Sequence, residues 1–351
     1  TDWRFLINPE THYLSPTALE GWHGDGAIAL ANNPEEIRVL KSLNCPVVNL
    51  SGASPDSNFP RVRPDYDRIG RMAAWHLLDR GYRRFGFYGI TNVWYSEGYE
   101  AGFRQELSAR GLDCSVLNVA AALGSNTRWD IGQGELELWL GTINPPFAVM
   151  AAHDPRAAMV IRACERVGLR VPEDVAVIGV NNDTVACESC HPPLSSIERN
   201  DYEIGEEAAR LLDRLIQQKE VATEEKIIAP GAVQDRQSTD SLAVDHPDLL
   251  KAIEYSREHF REPIGVADIV EANPRSRRWL EDAFVDNLGC TPRNFLFRLR
   301  IREAQKLLTE MPDTPPGEVA LRCGYSGTRQ LNAHFRSELG MTAREFTKAE
   351  L

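Results

Sequence analysis

The stretch AAHDPRAAMVIRACERVGLRVPEDVAVIGVNND, residues 151–183, decides the fold. Its first half predicts a helix over 154–168, because Asp154 is a capping residue, Pro155 suits the first helical position, and Gly168 suits the end. The run VAVIGV that follows, residues 175–180, is continuously apolar, as is typical of a strand that is buried on both faces. We therefore predict a helix and then a buried strand, with the polar residues NND directly after the strand.

The same alternation recurs through the first two thirds of the chain. Apolar strand patterns occur at 45–50, 83–89 and 147–152, and amphipathic helix patterns occur at 68–81 and 201–218. Strands and helices that alternate in this way predict a parallel, doubly wound α/β sheet. None of these strand patterns is followed by G-x-G-x-x-G, so the sequence gives no support to a dinucleotide site.

Composition and charge divide the chain into two parts. Its 351 residues suit two domains, and 42% of them are apolar. Basic and acidic residues balance within 246–351, so the net charge of −12 lies entirely in residues 1–245. Seven scattered cysteines, a start without signal-peptide features and the lack of a long apolar run predict a cytoplasmic protein.

The segment CESCH, residues 187–191, fits the C-x-x-C-H pattern that attaches a c-type haem. Covalent haem attachment needs export, which is at odds with a cytoplasmic protein. A zinc site would need two further ligands, and the sequence shows none nearby. We therefore expect Cys187 and Cys190 to be ordinary buried residues, and we expect no cofactor and no metal.

Three blocks carry a resemblance to a known family. DYDRIGRMAAWHLLDRGYRRFGFYG (65–89), the opening stretch (151–183) and HPPLSSIERNDYEIGEEAARLLDRL (191–215) are similar in order and spacing to the sensor of LacI/GalR-type repressors. The resemblance implies a periplasmic-binding-protein-like fold, with two α/β lobes, a hinge of three crossovers and a sugar in the cleft. In that family a further strand and helix precede the point that matches residue 1. We therefore expect this sequence to lack the first β-α unit of its sensor.

The resemblance also implies which residues bind the sugar. Family members use an Arg four residues before the Phe of a G-F pair and an Asp just after the V-x-G strand, which grip vicinal hydroxyls by charge-assisted hydrogen bonds. Here these positions are Tyr99 and Asn181, which are neutral donors and acceptors. The other candidates are two acids at family positions and three aromatic residues that can stack on a sugar: Asp65, Asp154, Trp94, Tyr95 and Trp129. Helix capping by Asp154 and core packing by the aromatic residues are equally good interpretations.

The last part of the chain, residues 248–351, has helical patterns throughout. Two segments, 276–308 and 315–346, each contain an L-x-x-x-F pair, whose i, i+4 spacing keeps both side chains on one buried face. The second segment includes CGYSGTRQLNAHFRSELGMTAREF (323–346), and the whole part resembles the AraC-type DNA-binding domain. The resemblance implies two helix-turn-helix motifs joined by a long helix at about 293–310.

The resemblance places the two recognition helices near Ser276 and Ser326. Arg can bind guanine bidentately, Asn can bind adenine and Glu can accept from cytosine. The residues that we expect on the DNA-facing sides are Arg277, Arg278, Glu281 and Asp282 in the first helix, and Thr328, Arg329, Asn332 and Ala333 in the second. For any single residue, a solvated helix face is an equally good interpretation.

These patterns together predict a transcription regulator. We expect an α/β two-lobed, periplasmic-binding-protein-like sensor in residues 1–240, a linker at 241–247 and an all-α AraC-type double helix-turn-helix domain in 248–351. The expected partners are promoter DNA, a sugar effector, a second copy of the chain and RNA polymerase. The favoured function is activation of genes for sugar catabolism in response to a pentose such as xylose. The alternatives are a regulator that responds to another or a modified sugar and, less favoured, an enzyme-type sensor fused to the same DNA-binding domain.

Overall fold

The computed structural model describes residues 3–6, 15–53, 58–120, 132–217, 225–244, 246–339 and 341–350. The contacts between residues divide the chain into two compact units. Unit 1 comprises residues 1–65, 93–95 and 200–229, and unit 2 comprises residues 66–92, 96–199 and 230–351. Each unit has a sheet of its own, so the two sheets that the sequence analysis expected are both present.

The strands of the described residues are all short, with two to six residues each. In chain order they are β1 (Ala27–Ala29), β2 (Val47–Asn49), β3 (Arg61–Pro64), β4 (Phe85–Ile90), β5 (Cys114–Val119), β6 (Phe147–Ala151), β7 (Val175–Val180), β8 (Ser195–Ile197), β9 (Glu225–Ile228) and β10 (Val233–Gln234).

The helices carry the same chain-order numbering. They are α1 (Pro34–Ser42), α2 (Tyr66–Leu78), α3 (Trp94–Ser108), α4 (Gln133–Leu140), α5 (Asp154–Arg166), α6 (Thr184–Glu188), α7 (Asp201–Ile216), α8 (Pro247–His259), α9 (Val266–Glu271), α10 (Arg277–Leu288), α11 (Pro292–Glu310), α12 (Pro316–Arg322), α13 (Thr328–Leu339) and α14 (Ala343–Glu350). Throughout the described ranges, every helix is too short or too polar to cross a lipid bilayer.

Both sheets are parallel, as the alternation of strands and helices predicted. The sheet of unit 1 has the order β1-β2-β3-β9, and the sheet of unit 2 has the order β10-β8-β7-β6-β4-β5. In unit 2, β10 runs antiparallel to its neighbour, β8. Parallel strands end at the same edge of a sheet, so the residues that follow β4, β6 and β7 lie along one edge.

Helices α2 and α3 of unit 2 cross with their backbones almost in contact. A Cβ atom added to Gly70 would lie 2.2 Å from the Tyr99 carbonyl oxygen, and one added to Gly102 would lie 2.0 Å from the Asp67 carbonyl oxygen. These distances are far below a van der Waals contact, so only glycine fits at either position. Around the crossing, Ile69 and Phe103 are fully buried and fill the space beneath the two helices.

Helices α8–α14 form two successive cores, one for each predicted helix-turn-helix motif. Leu280 and Phe284 lie in the first core, and Leu331 and Phe335 lie in the second. All four side chains are fully buried. The prediction that the two L-x-x-x-F pairs face inward is therefore confirmed.

Arg300 links the long helix α11 to the loop after α8. The buried guanidinium of Arg300 donates hydrogen bonds to the carbonyl oxygens of Phe260, Glu262 and Ile264, at 2.7–2.8 Å. On the other side of this loop lies Gly324, where an added Cβ atom would be 2.4 Å from the Phe260 carbonyl oxygen. The loop after α8 is thereby fixed between the central helix and the turn before α13.

The α2–α3 crossing generates a stability prediction. Gly70→Ala should lower the free energy of unfolding by about 1–3 kcal/mol, because the added methyl group meets backbone atoms that only a shift of a whole helix can move away. Chemical denaturation of the full chain measures the effect. Gly134→Ala in α4 is the matched control, because an added Cβ atom meets nothing within 4 Å there, and that variant should be as stable as the native protein. Equal stability of both variants would show that the helices are not locked at this crossing.

Candidate effector and DNA-binding sites

Asp154 fastens three strand ends together at the edge of the unit 2 sheet. Its Oδ1 accepts a hydrogen bond from the Ser196 hydroxyl at 2.6 Å, and its Oδ2 accepts one from the Asp183 backbone N–H at 2.7 Å. The side chain is fully buried, and burial raises the pKa of this carboxyl to about 6. Asp154 is thus a structural carboxylate that joins the ends of β6, β7 and β8.

The sequence interpretation that Asp154 caps its helix is wrong. The residue before it, His153, is the N-cap of α5, with extended backbone and with Nδ1 accepting from the Arg156 backbone N–H at 3.3 Å. Asp154 therefore occupies the first helical position, and its carboxylate points across the sheet edge instead. Burial and the nearby Arg156 guanidinium lower the pKa of His153 to about 4, so its ring is neutral near pH 7 and carries its proton on Nε2.

Asn181 and Asn182 follow β7 in strained backbone conformations. Their φ angles are 106° and 53°, and such positive values are uncommon for residues other than glycine. The Asn181 backbone N–H donates to the Ile197 carbonyl at 2.9 Å, and the Asn182 Oδ1 accepts from Arg236 at 2.8 Å. Strained residues of this kind cluster at ligand sites, because the surrounding structure must hold them in place.

Arg156 places a second guanidinium at this edge, beside that of Arg236. It donates to the Gly89 carbonyl at 3.0 Å and to the Ala120 carbonyl at 3.2 Å, and it lies 5.1 Å from the centre of the Tyr88 ring. Its side chain is buried among the ends of β4 and β5. The guanidinium therefore connects the ends of β4 and β5 by donating to their neutral carbonyl groups.

The other predicted effector ligands are distributed over both units. In unit 2, Tyr99 is buried, and its ring packs edge-on against Tyr66 with ring centres 5.8 Å apart. In unit 1, Asp65 is half-buried, and the rings of Trp94 and Tyr95 meet edge-on at 5.4 Å. Trp129 lies outside the described residues.

The two cysteines of the C-x-x-C-H segment lie in the apolar core of unit 2. Both side chains are buried, and the Cys190 thiol is 3.1 Å from the Ala186 carbonyl oxygen. Burial raises the pKa of Cys187 to about 12, which keeps its sulfur protonated. No group of three or more potential metal ligands occurs among the residues that the structure describes.

Helix α10 carries pairs of opposite charges on its exposed side. Ser276 caps it through its hydroxyl, as the predicted start required. The Arg277 Nε lies 2.9 Å from the Glu281 carboxylate, and the Arg278 Nε lies 3.9 Å from the Asp282 carboxylate. Both pairs are in solvent, where such interactions are weak and can exchange for contacts with DNA.

Helix α13 presents a less acidic surface. Arg329 and Ala333 are exposed and Thr328 is half-buried. The Asn332 Oδ1 accepts from the Ala343 backbone N–H at 3.0 Å and so caps the start of α14. A bidentate contact with adenine would use the second lone pair of this oxygen, so Asn332 stays a predicted base contact that also caps α14.

Known proteins match both parts of this chain. A periplasmic binding protein-like domain model matches residues 74–239, and a helix-turn-helix domain model matches residues 270–349. The xylose operon regulatory protein of Escherichia coli (strain K12) is 28% identical over 339 residues, which are 93% of this chain and 85% of that protein. The structure of a xylose-binding transcription activator matches with a TM-score of 0.59 and 26% identity, covering 93% of this chain and 87% of that one. The protein is a DNA-binding transcription regulator.

The sensor part of the regulator has a further structural relative. A LacI family transcription regulator from Enterococcus faecium, solved with bound ribose, matches with a TM-score of 0.55 and 26% identity, covering 68% of this chain and 87% of that one. The resemblance to both parent families that the sequence motifs indicated is therefore confirmed.

Two residues at the edge of the unit 2 sheet were missed by the sequence analysis. His153 was overlooked because Asp154 and Pro155 together form a convincing helix start one residue later. Its position directly after a buried strand was the signal that could have identified it. Arg156 was overlooked because its place in the first turn of a helix predicts a solvated side chain, and only the fold shows that it is buried.

The raised pKa of Asp154 makes the stability of the regulator depend on pH. The folded protein binds the proton more tightly than the unfolded chain does, so ionisation destabilises the fold as the pH rises through about 6. Relative to Asp154→Asn, the native protein should therefore lose up to about 3 kcal/mol of unfolding free energy between pH 4 and pH 7. Urea unfolding at a series of pH values measures this difference.

Asp174→Asn is the control for this titration. The Arg170 guanidinium holds the pKa of Asp174 below its usual range, so the native carboxylate stabilises the fold above that range and the advantage is lost as the pH falls. As the pH rises, the unfolding free energy of the native protein should therefore fall relative to Asp154→Asn and rise relative to Asp174→Asn. A difference in unfolding free energy between the native protein and Asp154→Asn that does not change with pH would contradict the assignment.

Proposed function

We propose that the protein is an activator of sugar-catabolism genes that responds to a neutral pentose. The observation that carries this proposal is the fusion, in one chain, of a strained polar sheet edge of the sensor with two helix-turn-helix cores. Support comes from the xylose operon regulatory protein, the xylose-binding activator and the ribose-bound regulator described above.

The chemistry of the sheet edge in unit 2 favours an uncharged polyol over a sugar acid or a sugar phosphate. His153 is neutral, Asn181 has a neutral amide, and Arg156 already donates to two carbonyl oxygens. Amides and a neutral imidazole can both donate to and accept from hydroxyl groups. Arg236, the other described arginine that contacts this edge, donates to the Leu194 carbonyl and to the Asn182 amide oxygen, so both charges already have neutral acceptors in the protein. A modified or non-pentose sugar with the same hydroxyl pattern is the alternative effector.

We further propose how the regulator is organised. Residues 1–240 form the sensor, 241–247 the linker and 248–351 the DNA-binding domain. This division is supported by Ser238, whose hydroxyl is buried and donates to the Val177 carbonyl of β7 at 2.6 Å, and by the start of α8 at Pro247. The protein acts as a homodimer in the cytoplasm, contacts RNA polymerase at the promoter and is not an enzyme; the relatives described above are transcription regulators.

Base recognition by the two exposed arginines is directly testable. Arg278→Ala and Arg329→Ala should each weaken binding to the specific site by about 1–3 kcal/mol and relax sequence preference at one base pair. Competition binding with point-mutated promoter fragments at two salt concentrations measures both effects. Arg166→Ala, an exposed sensor arginine paired with Glu137, should leave DNA binding unchanged. A uniform loss over all fragments together with a smaller salt slope would instead assign the arginines to phosphate contacts.

The effector site generates a second test. Asn181→Asp should tighten D-xylose binding about tenfold or more, because a carboxylate accepts stronger hydrogen bonds from sugar hydroxyls than an amide does. Asp tolerates positive φ angles nearly as well as Asn does, so the backbone should keep its conformation. Asn144→Asp, which lies before β6 at the opposite edge of the sheet, is the matched control and should leave the affinity unchanged. Calorimetry that finds equal affinities for all three proteins would overturn the placement of Asn181.

A further inference from the structure

The end of helix α2 is joined to the long helix α11 of the DNA-binding domain within unit 2. Asp79 directly follows α2, and only 2% of its surface is exposed. Its Oδ1 accepts a hydrogen bond from Arg298 at 3.4 Å, and its Oδ2 accepts one from Arg302. The two arginines are four residues apart, so they lie on one face of α11, and the buried Asp79 carboxylate accepts from both.

The residues that follow Asp79 contact the linker and the first helix-turn-helix motif. The Arg80 carbonyl accepts from the Ala243 backbone N–H at 2.8 Å, which fixes the predicted linker. Gly81 has a φ of 84°, and an added Cβ atom there would lie 2.8 Å from Val244 and 3.3 Å from Leu288. The sensor and the first helix-turn-helix motif thus meet with no room for another side chain.

Arg80 ties the same helix end to the last segment of the sensor. Its buried guanidinium donates to the Thr239 carbonyl at 2.7 Å and forms an ion pair with Asp235. The His76 Nε2 lies 2.9 Å from the Thr239 hydroxyl. The end of α2 therefore binds both the segment that leads into the linker and the long helix α11. A movement of α2 must displace both of them.

The beginning of α2 lies near the second motif. The Arg68 guanidinium is 5.8 Å from the ring centre of Phe346, a buried residue of α14. Helix α2 therefore contacts the DNA-binding domain at both of its ends. Along the chain it follows directly on Asp65, a predicted effector ligand at the point where the chain leaves unit 1.

We propose that α2 transmits effector binding to the DNA-binding domain and that Asp79 is the positioning residue of this coupling. The carboxylate holds the face of α11 that bears Arg298 and Arg302, and α11 fixes the orientation of the two recognition helices. Loss of the carboxylate leaves two half-buried guanidinium groups without this partner, so the helix separates from the sensor. The part of this inference that concerns the effector rests on the proposed function.

The first experiment compares Asp79→Asn with Asp67→Asn in the full-length protein. Asp67 lies on the same helix and pairs with Arg71 in solvent, so its change removes an ion pair without touching α11. DNA affinity is measured with and without D-xylose, and the ratio of the two affinities is the readout. In Asp79→Asn this ratio should fall towards one, by about fivefold or more relative to the native protein, while Asp67→Asn should keep the native ratio. An unchanged ratio in Asp79→Asn would overturn the proposal.

A second measurement does not depend on any sugar. Backbone amides of residues 79–83 and 296–303 should exchange with deuterium about fivefold faster or more in Asp79→Asn than in the native protein, because the two helices lose their mutual protection. Arg302→Gln removes the contact from the partly exposed side and provides the same test if Asp79→Asn does not fold. If the folded variants exchange at the native rates, Asp79 does not hold α2 and α11 together. If D-xylose does not change the DNA affinity of the native protein and the variants still exchange faster, the effector assignment is wrong. The contact between α2 and α11 is then still supported.

Discussion

The hydrogen bonds of Arg300 are the constraint on which the DNA-binding domain depends. One guanidinium satisfies three backbone carbonyl groups of the loop after α8, at the point where the two motifs approach each other. A buried guanidinium is costly unless it is hydrogen-bonded, and here backbone carbonyl groups accept from it. Each motif has its own small apolar core, and Arg300 links the long helix α11 to the loop that lies between them.

In the sensor, buried polar groups likewise fix loops by hydrogen bonds. Asp154 joins three strand ends, Ser195 and Ser238 link β8 to the segment before the linker, and Arg156 spans the ends of two strands. Apolar packing alone would hold the sheet together but would leave the loops at its edge free. The polar contacts fix those loops, and the strained backbone of Asn181 and Asn182 is sustained by the same network.

The sequence was most informative where periodicity and burial coincide. The strands at β4, β6 and β7 and the inward-facing pairs of α10 and α13 follow from patterns of apolar residues, and the structure confirms them. The assignments that depended on one side chain were less secure. Asp154 looked like a helix cap because a carboxylate before Pro satisfies the local rule, whereas its partners, Asp183 and Ser196, are 29 and 42 residues away. The Asn332 oxygen likewise accepts from the N–H of Ala343, 11 residues further on, a contact that the helix pattern did not predict. Contacts over such separations arise from the fold and leave no local pattern.

The paired charges of α10 have a consequence for how the regulator occupies a genome. Two arginines on this helix are offset by Glu281 and Asp282, and the chain as a whole carries a net charge of −12. Attraction to arbitrary DNA depends on uncompensated positive charge that displaces counterions, and this surface supplies little of it. We therefore expect this helix to add little to the binding of non-cognate sequence, so that few copies of the regulator are held elsewhere on the chromosome.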